Sequence, residues 1–485
     1  MRDFFADKTR FSCNRFSLLD RDCFREVHQA TLAVLEETGI RVDSPGARDL
    51  LGDHGCHVDA GSGRVRFPAW LVTEAIESAP AKVLLSGRDP SRDLLLEAGR
   101  SCFANFSSNI YFVDPESGER RKSTKQDLAF ATRLCDALKQ IDVYTRAVYP
   151  LEVPPRLMHL HTAECCLNNT TKHSIHGPES AWETRQIIRM AEAAVGGKEV
   201  LKERKPVSFV SSVISPLRMS RDFCEVVMTS ADAGFPTIIA SAAMGGGTAP
   251  IHLAGLLVQT NAEILSGIVL AQLVNAGVPA IYGCYSTGMD LRFTSSPLGS
   301  PEAALMAAAA SGLCRYYQIP CQVPGISTDG KRHGIQASFE KTLTGLAAAM
   351  GGASLVCGIG GVETGLTFDP ALAVLDDEMV GLIRHFNRGI EVNPETLSTE
   401  IIHEAGTSGN FLTHPSTISY MRSGSNPKLF NRSNRDSWEK HGMPGSYEKA
   451  LEIAKAILAD YRPQPLSDSA AKAIKCVMTE AEAAL

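Results

Sequence analysis

The sequence predicts an α/β protein built on a (β/α)8 TIM barrel, with a helical N-terminal cap and a C-terminal helical extension. Three segments share one pattern, in which a helix-ending glycine or proline precedes a short apolar strand and a loop rich in Gly, Ser or Thr. They read GFPTIIASAAMGGG, GVPAIYGCYSTGMD and QIPCQVPGISTDG, and their prolines Pro236, Pro279 and Pro320 lie 43 and 41 residues apart. A strand–loop–helix unit repeated at this spacing is typical of a parallel sheet made of βα units.

The number of strands favours a closed barrel. Further strands are predicted at 101–107, 142–151, 172–177, 206–215 and 353–363, which brings the total to eight. Eight parallel strands with intervening helices predict a barrel over residues 95–385. The alternative is an open doubly wound sheet, which calls for a glycine fingerprint after the first strand, and none is present there.

The helices between the strands have recognisable start and stop signals. Thr260 and Glu263 form a capping-box pattern, which predicts a helix that starts there. Ser300, Pro301 and Glu302 predict a second start, with an N-cap residue, a first-turn proline and an acidic residue. A third helix is predicted over 335–350, where the following glycines end it.

The two ends of the chain have a different pattern from the barrel. Residues 1–94 predict a helical cap, with apolar residues at helical spacing in 22–40 and a small hairpin in 56–67. Residues 386–485 predict an amphipathic helical extension, and no low-complexity linker separates it from the barrel. We therefore expect both parts to pack against the barrel.

Composition limits the classes of partner and compartment. Of 485 residues, 44% are hydrophobic and 21% charged, which is an ordinary globular balance, and the net charge of -6 argues against nucleic acid or an anionic membrane as partner. The charged N-terminus predicts no signal peptide, and the apolar run 303–313 is too short to span a bilayer. The 13 cysteines are scattered without a CxxC pair, which favours reduced thiols and a cytoplasmic protein.

The barrel predicts where the chemistry lies, because the active site of such a fold is formed by the loops at the carboxyl ends of the strands. The loop from Ser327 to His333 follows the seventh strand and is expected to face that site, with Asp329 and Lys331 as a possible pair. Other candidates near strand ends are Phe103, Asn105, Tyr111, Tyr149, His176, Tyr285 and Glu363. His173 and His176 lie on opposite faces of a strand, so no metal site is predicted there.

The chain resembles the trimethylamine methyltransferase family nearly end to end. The resemblance is carried in order by VLEETGIRVDSPGARDLLGDHGCHVD, GSPEAALMAAAASGLCRYYQIP, STDGKRHGIQASFEK, FLTHPSTISY and PKLFNRSNRDSWEKHG. Members specific for trimethylamine carry pyrrolysine, and this sequence has none, so the resemblance implies the pyrrolysine-lacking branch. Its implied substrates are quaternary amines such as glycine betaine, proline betaine or carnitine.

The resemblance also implies a partner. The methyl group would pass to the Co(I) corrinoid of a separate corrinoid protein that docks over the carboxyl ends of the strands. This chain lacks the Asp-x-His-x-x-Gly stretch of corrinoid proteins, so it is expected to hold no cobalamin tightly by itself. A homo-oligomer is compatible with the sequence.

A quaternary ammonium lacks N–H donors, so it is best bound by aromatic faces. The predicted substrate-binding residues are Phe103, Asn105, Tyr111, Tyr149, Tyr282 and Tyr285, with Arg146 and His176 as donors to a substrate carboxylate. The predicted catalytic group is Asp329, Lys331, His333 and Glu363, in which Lys331 and His333 also meet the carboxylate and the two acids orient the donors. The alternatives are a lyase or hydrolase, which needs a paired acid and base, and a non-catalytic betaine-binding protein.

Overall fold

The computed structural model of the protein describes residues 16–407, 409–443 and 445–484. Its centre is one sheet of eight parallel strands, in which each strand from the second to the eighth pairs with the next along the chain and the eighth pairs with the first. In chain order the strands are β1 (Cys102–Asn105), β2 (Tyr144–Thr145), β3 (Ser174–His176), β4 (Val207–Val213), β5 (Thr237–Ser241), β6 (Ala280–Cys284), β7 (Cys321–Pro324) and β8 (Leu355–Ile359). Strands β8 and β1 pair in parallel, with Val356 opposite Phe103.

The sheet closes between β1 and β2 through a short seam. A single parallel bridge joins Ala104 to Val143. Next to it the Asn105 side chain takes the place of missing backbone pairs: its Nδ2 donates to the Thr145 carbonyl at 2.7 Å, and its Oδ1 accepts from the Thr145 N–H at 2.9 Å. The closed ring confirms the predicted barrel and excludes an open doubly wound sheet.

Eight long helices surround the strands, one after each strand, and a short helix, Lys198–Glu203, follows the third of them. They are α1 (Lys125–Ala137), α2 (Met158–Asn169), α3 (Ala181–Val195), α4 (Arg221–Asp232), α5 (Leu253–Val274), α6 (Pro301–Tyr317), α7 (Ile335–Met350) and α8 (Pro370–Asn387). The predicted start of α6 is confirmed, since Ser300 is the N-cap and accepts from the Ala303 N–H. The largest hydrophobic core fills the layer between these helices and the outer faces of the strands.

The predicted helix start at Thr260 is wrong. Helix α5 begins seven residues earlier, after His252, and Thr260 and Glu263 are fully buried in its interior. Glu263 instead accepts hydrogen bonds from Ser215 Oγ at 2.7 Å and Ser241 Oγ at 2.6 Å, so tertiary contacts use the side chains that resemble a capping box. Helix α5 is also long and apolar enough to cross a membrane, but 72% of its most apolar window is buried inside the protein.

The N-terminal part covers the amino-terminal end and one side of the barrel. Its helices are Arg21–Ala33, Pro45–Asp53 and Ala69–Ser78, with a π-helical turn at Val34–Thr38 and a sheet formed by Ile40–Val42, His57–Asp59, Arg64–Arg66 and Arg218–Met219. A hairpin, Lys82–Leu85 with Leu94–Glu97, then packs Val83, Leu85 and Leu96 against side chains inside the barrel. This hairpin fills the amino-terminal end of the barrel interior, so the site is expected at the carboxyl ends of the strands.

The C-terminal extension has two parts. Four short helices, Pro394–Leu397, Thr399–Ala405, Pro415–Tyr420 and Arg435–Lys440, come first, and two longer helices follow. Ser446–Asp460 packs on α8 and α1, and Asp468–Ala483 packs on α3 and α2. The domain boundaries at 94/95 and 385/386 stay predictions, although α8 continues to Asn387.

The loops at the carboxyl ends of the strands carry small sheets of their own. Tyr111–Val113 and Arg120–Lys122 form a hairpin after β1, and it pairs with Thr367–Phe368 and Gly361–Val362 after β8. Met244–Gly245 pairs with Thr287–Gly288 above β5 and β6. These additions raise a rim around the carboxyl end of the barrel, which we call the mouth.

Candidate active site

The interior of the barrel is filled below and open at the mouth. Ile175, Ile238, Ala240 and Ile281 belong to one buried cluster with the lower hairpin. On β4 the same face continues upward through Val210, which is partly exposed, to Ser212, which is exposed. Because side chains alternate between the two faces of a strand, this change in exposure along one face shows that the interior of the barrel becomes accessible to solvent at the mouth.

Tyr285 lies on this side of the interior, directly after β6. It packs on the interior cluster and is partly exposed, and its hydroxyl contacts Cys357 on β8. Gln322 on β7 donates from Nε2 to Cys357 Sγ at 2.8 Å, so three neighbouring strands contribute one connected polar group. Gln322 Oε1 is buried and has no hydrogen-bond partner among the described residues.

This group is uncharged at neutral pH. Burial raises the pKa of the Cys357 thiol to about 12 and moves the pKa of the Tyr285 hydroxyl well above its usual value. A thiol and a phenol held in their protonated forms do not act as a base or a nucleophile near neutral pH. The floor of the mouth is therefore aromatic, polar and neutral.

Two of the predicted aromatic residues face away from the mouth. Phe103 and Tyr282 are fully buried in the core between the strands and the helices. The ring of Phe103 lies 5.2 Å from the Arg384 guanidinium on α8. The alternation of side chains along β1 and β6 explains this placement, because Ala104 and Tyr285 take the interior positions.

The other two predicted aromatic residues already contact arginine side chains. The Arg120 guanidinium lies 3.5 Å from the ring centroid of Tyr111, and the Arg146 guanidinium lies 3.7 Å from that of Tyr149. One face of each tyrosine is therefore covered by a cation of the protein itself. Of the five predicted aromatic residues, Tyr285 is the one that packs on the interior cluster of the barrel.

Arg146 and His176 lie in a buried cluster between the barrel and α2. Arg146 donates from Nη2 to Ser108 Oγ at 3.1 Å, and its Nη1 lies 3.3 Å from His159 Nδ1. His176 Nε2 lies 2.9 Å from Ser174 Oγ. Burial, together with the nearby Arg146 charge, lowers the pKa of His159 to about 4 and that of His176 to about 3. Both imidazoles are thus neutral, and Asn105 lies apart from them in the barrel seam.

The predicted acids are held by hydrogen bonds within the rim. Asp329 accepts from Thr364 Oγ1 at 2.8 Å and from the Gly299 N–H at 3.2 Å. Burial raises the pKa of Asp329. Glu363 accepts from Arg120 Nε at 2.8 Å and has a left-handed φ of 56°, which non-glycine residues rarely adopt. Asp329 thus joins the loops that follow β6, β7 and β8, and Glu363 joins the loop after β8 to the hairpin after β1.

The predicted basic residues of the same loop point in other directions. Lys331 is exposed and donates from Nζ to the main-chain oxygen of Asp329, not to its carboxylate. His333 stacks on Tyr447 of the C-terminal extension, with ring centroids 3.6 Å apart. Lys331 and Asp329 therefore form no ion pair, and His333 contacts the extension.

Two polar residues of the mouth were absent from the sequence predictions. Gln322 and Cys357 are interior residues of β7 and β8, and the alternation of side chains after Pro320 is the signal from which Gln322 could have been inferred.

Among the described residues, no group of three or more His, Cys, Asp or Glu side chains is arranged to hold a metal ion. His173 contacts Ser86 and Ser208, each at 3.0 Å, on the strand face opposite His176.

Comparisons with known proteins agree with this architecture. A trimethylamine methyltransferase from Desulfitobacterium hafniense is 39% identical over 456 residues, which are 94% of this chain and 92% of that protein. A glycine betaine methyltransferase from the same species is 30% identical over 458 residues, covering 93% and 94% of the two chains. The crystal structure of the Methanosarcina barkeri monomethylamine methyltransferase shares the fold, with a TM-score of 0.50 and 13% identity over 93% of this chain and 90% of that one. The trimethylamine methyltransferase family matches residues 6–484, and the chain belongs to this family.

Proposed function

We propose that this methyltransferase moves a methyl group from a quaternary amine, with glycine betaine as the first candidate, to a Co(I) corrinoid held by a partner protein. The full-length relationship to the family and to a glycine betaine methyltransferase supports the reaction class. The sequence contains no pyrrolysine, which supports a substrate other than trimethylamine. The observation that carries the proposal is the neutral floor of the mouth around Tyr285.

A quaternary ammonium suits such a floor. Its methyl group is already activated, because a neutral tertiary amine leaves when the methyl group is removed, and that leaving group needs no proton. The corrinoid of the partner supplies the nucleophile. The residues of this chain then have to bind the cation, orient one methyl group toward the opening and exclude water.

The polar group formed by Tyr285, Cys357 and Gln322 contains no carboxylate, and this suits the proposed reaction. Positive charge leaves the substrate nitrogen as the methyl group departs, so an anion against that nitrogen would stabilise the substrate more than the transition state. Asp329 and Glu363 are instead held by Thr364, Gly299 and Arg120. An aromatic face such as that of Tyr285 attracts the cation with roughly 0.5–2 kcal/mol and carries no net charge.

A betaine also carries a carboxylate, which needs a donor. Of the four predicted donors, Lys331 and His333 are exposed on the loop after β7. His333 stacks on Tyr447, whereas the Lys331 Nζ donates to one main-chain oxygen among the described residues. We assign Lys331 the substrate carboxylate.

The partner would dock on the same carboxyl-terminal face, because that is where the mouth opens. The cysteines of the described residues form no disulfide, which supports a reducing, cytoplasmic setting.

A direct assay tests the reaction. Purified protein is mixed with reduced cobalamin and a panel of trimethylammonium compounds, and methylcobalamin is followed by its absorbance. We expect turnover with one or more quaternary amines and little with trimethylamine. If trimethylamine reacts faster than every quaternary compound, the substrate class is wrong, and if a betaine binds tightly with no methylcobalamin formed, the protein is a binder.

A matched pair of variants tests the floor. Tyr285→Leu removes the aromatic face and should raise the substrate Kd roughly 2- to 30-fold, whereas Tyr285→Phe keeps the face and should change it little. Isothermal titration with the best substrate measures both. Equal Kd values for the Leu and Phe variants would remove Tyr285 from the binding site.

A further inference from the structure

One arginine near the mouth is buried without an acidic partner. Arg146 follows β2 directly and is 8% exposed. Its guanidinium contacts neutral groups: Nη2 donates to Ser108 Oγ, Nη1 lies against His159 Nδ1, and the ring of Tyr149 covers one face. Its Nε–H is buried and has no acceptor among the described residues. A buried cation without a counter-charge is strongly unfavourable, so this guanidinium calls for an anion.

A second arginine at the same end of the barrel has the partner that Arg146 lacks. Arg120 also stacks on a tyrosine, Tyr111, but its Nε donates to the Glu363 carboxylate at 2.8 Å. The acid whose charge reaches Arg146 is Glu179, in the loop after β3. Its side chain is 79% exposed, and its Oε1 lies 3.6 Å from His159 Nε2, which is beyond hydrogen-bond distance. Glu179 therefore stays in solvent and does not pair with Arg146.

The two histidines beside Arg146 add further donors that lack acceptors. An arginine can only donate, so His159 Nδ1 accepts from Arg146 Nη1, and the proton of the neutral ring lies on Nε2. That Nε2 is buried and has no hydrogen-bond partner among the described residues. His176 Nδ1 is buried and unpartnered in the same way. With the Ser174 hydroxyl donating to His176 Nε2 at 2.9 Å, the His176 proton lies on Nδ1.

We propose that Arg146, His159 and His176 form a binding site for one carboxylate anion, and we call these three residues the anion cluster. They adjoin one another, since Arg146 contacts His159 and its charge acts on both imidazoles. The planar guanidinium matches the two oxygens of a carboxylate, and the imidazole N–H groups add neutral donors. A water molecule would accept the same hydrogen bonds but would leave the buried positive charge uncompensated.

A carboxylate can reach the anion cluster from two sources, a free acid in solution or the substrate itself. The cluster lies between the barrel and α2, whereas Tyr285 packs inside the barrel. In the proposed function Lys331 meets the substrate carboxylate, so we assign the cluster a separate, free carboxylate. This ligand would hold the ends of β2 and β3 to the start of α2. The assignment holds whichever amine the protein uses.

Thermal unfolding in acetate tests the site. Sodium acetate replaces sodium chloride at constant ionic strength, so general screening by salt stays the same. The melting temperature should rise by about 1–3 °C when acetate exceeds its Kd about 10- to 100-fold, because a ligand of the folded state stabilises a chain of this size by that amount. A melting temperature that does not respond to acetate would overturn the proposal.

Matched variants locate the effect. Arg146→Met removes the charge, keeps most of the side-chain volume and should abolish the rise. Arg120→Met removes an arginine that stacks in the same way but has Glu363 as its partner, so the rise should remain. Glu179→Gln removes a negative charge beside the cluster and should tighten acetate binding roughly 2- to 5-fold.

The opposite responses exclude the cluster. An equal rise in the wild-type and Arg146→Met proteins would overturn the assignment, as would loss of the rise with Arg120→Met. His159→Phe removes the Nε2–H donor and keeps Arg146, so it should weaken acetate binding even where Arg146→Met fails to fold. Unchanged acetate binding in His159→Phe would remove His159 from the site.

A competition experiment identifies the source of the carboxylate. Isothermal titration measures the Kd of the best quaternary amine with and without acetate. For a separate ligand this Kd should not depend on acetate. A Kd that rises with acetate would support the site but overturn the separate ligand, and it would move the substrate carboxylate from Lys331 to the anion cluster. A protein that binds no quaternary amine and still responds to acetate would refute the proposed function and support the anion cluster.

Discussion

One buried ion pair joins the rim of the mouth to two helices of the barrel, and its removal has a calculable effect. Lys341 on α7 and Asp376 on α8 are 1% and 2% exposed, with 2.8 Å between Nζ and Oδ2. Lys341 Nζ also donates to the Ile326 carbonyl at 3.0 Å, and Asp376 Oδ2 accepts from the Gly360 N–H at 2.8 Å. The pair thus fixes the loops after β7 and β8.

The change is Lys341→Met, which keeps most of the side-chain volume and removes the charge. Asp376 then keeps only the Gly360 N–H, and its buried carboxylate is uncompensated. Breaking a buried pair from one side costs about 3–5 kcal/mol. Ile326 adds to this loss, because its left-handed φ of 53° is costly for a β-branched residue and the Lys341 hydrogen bond helps to hold it.

The expected shift in melting temperature follows from the size of the chain. At about 2.1 cal/mol/K per residue, unfolding of 485 residues carries an entropy of roughly 1 kcal/mol/K, so 3–5 kcal/mol lowers Tm by about 3–5 °C. Circular dichroism during heating measures this shift. Because burial already raises the pKa of Asp376, the lost cation should raise it further.

The double variant Lys341→Met/Asp376→Leu is the control. It removes both charges and leaves no carboxylate to be buried alone, so most of the lost stability should return. A Lys341→Met protein as stable as the wild type would refute the reasoning. So would a double variant that melts below the single one, since that would show that packing and not charge is lost.

Two further outcomes follow from buried side chains. Burial lowers the pKa of His159 and His173 to about 4 and that of His176 to about 3, so below pH 6.5 the unfolded chain takes up protons that the folded chain does not. The free energy of unfolding should therefore fall as the pH drops from about 6.5 to 4, by up to ~1.4 kcal/mol per pH unit for each residue. Urea titrations at several pH values measure this, and the free energy of unfolding of His173→Gln should depend less steeply on pH. Tyr282→Phe should leave stability unchanged or slightly raised, because the Tyr282 hydroxyl is buried without a hydrogen-bond partner among the described residues. Tyr144→Phe should cost about 1 kcal/mol, because that hydroxyl accepts from Thr132 Oγ1 and the Ala147 N–H, and equal Tm values for the two variants would contradict the assignment.

The barrel could be predicted because its signals are local. Pro236, Pro279 and Pro320 each precede a strand, and β5, β6 and β7 begin within one residue of them. The Ser300 N-cap depends only on the four residues that follow it and was correctly located. Thr260 and Glu263 also match a capping-box pattern, but they lie in the middle of α5, because burial against the barrel outweighs a local capping preference.

The site was harder to predict, because its residues are selected by strand register. Phe103 and Tyr285 are both aromatic residues near strand ends, but one faces the helices and the other faces the interior. A shift of one position in a strand moves a side chain to the opposite face. Arg146 and Tyr149 are close in the chain, but their stacking also depends on distant contacts. Arg146 donates to Ser108 in the loop after β1, and Tyr149 packs against His159 on α2.

The sequence by itself determined the repeated βα unit, the eight strands, the two helical additions and the family, since each depends on residues that are near one another in the chain. The tertiary structure alone decided how the ring closes at Asn105, which side chains line the mouth, and which apolar side chains of residues 390–443 and of α7 are exposed. The physical reason is that burial and pairing are properties of contacts between distant segments, and their energies exceed the local preferences that a sequence pattern records.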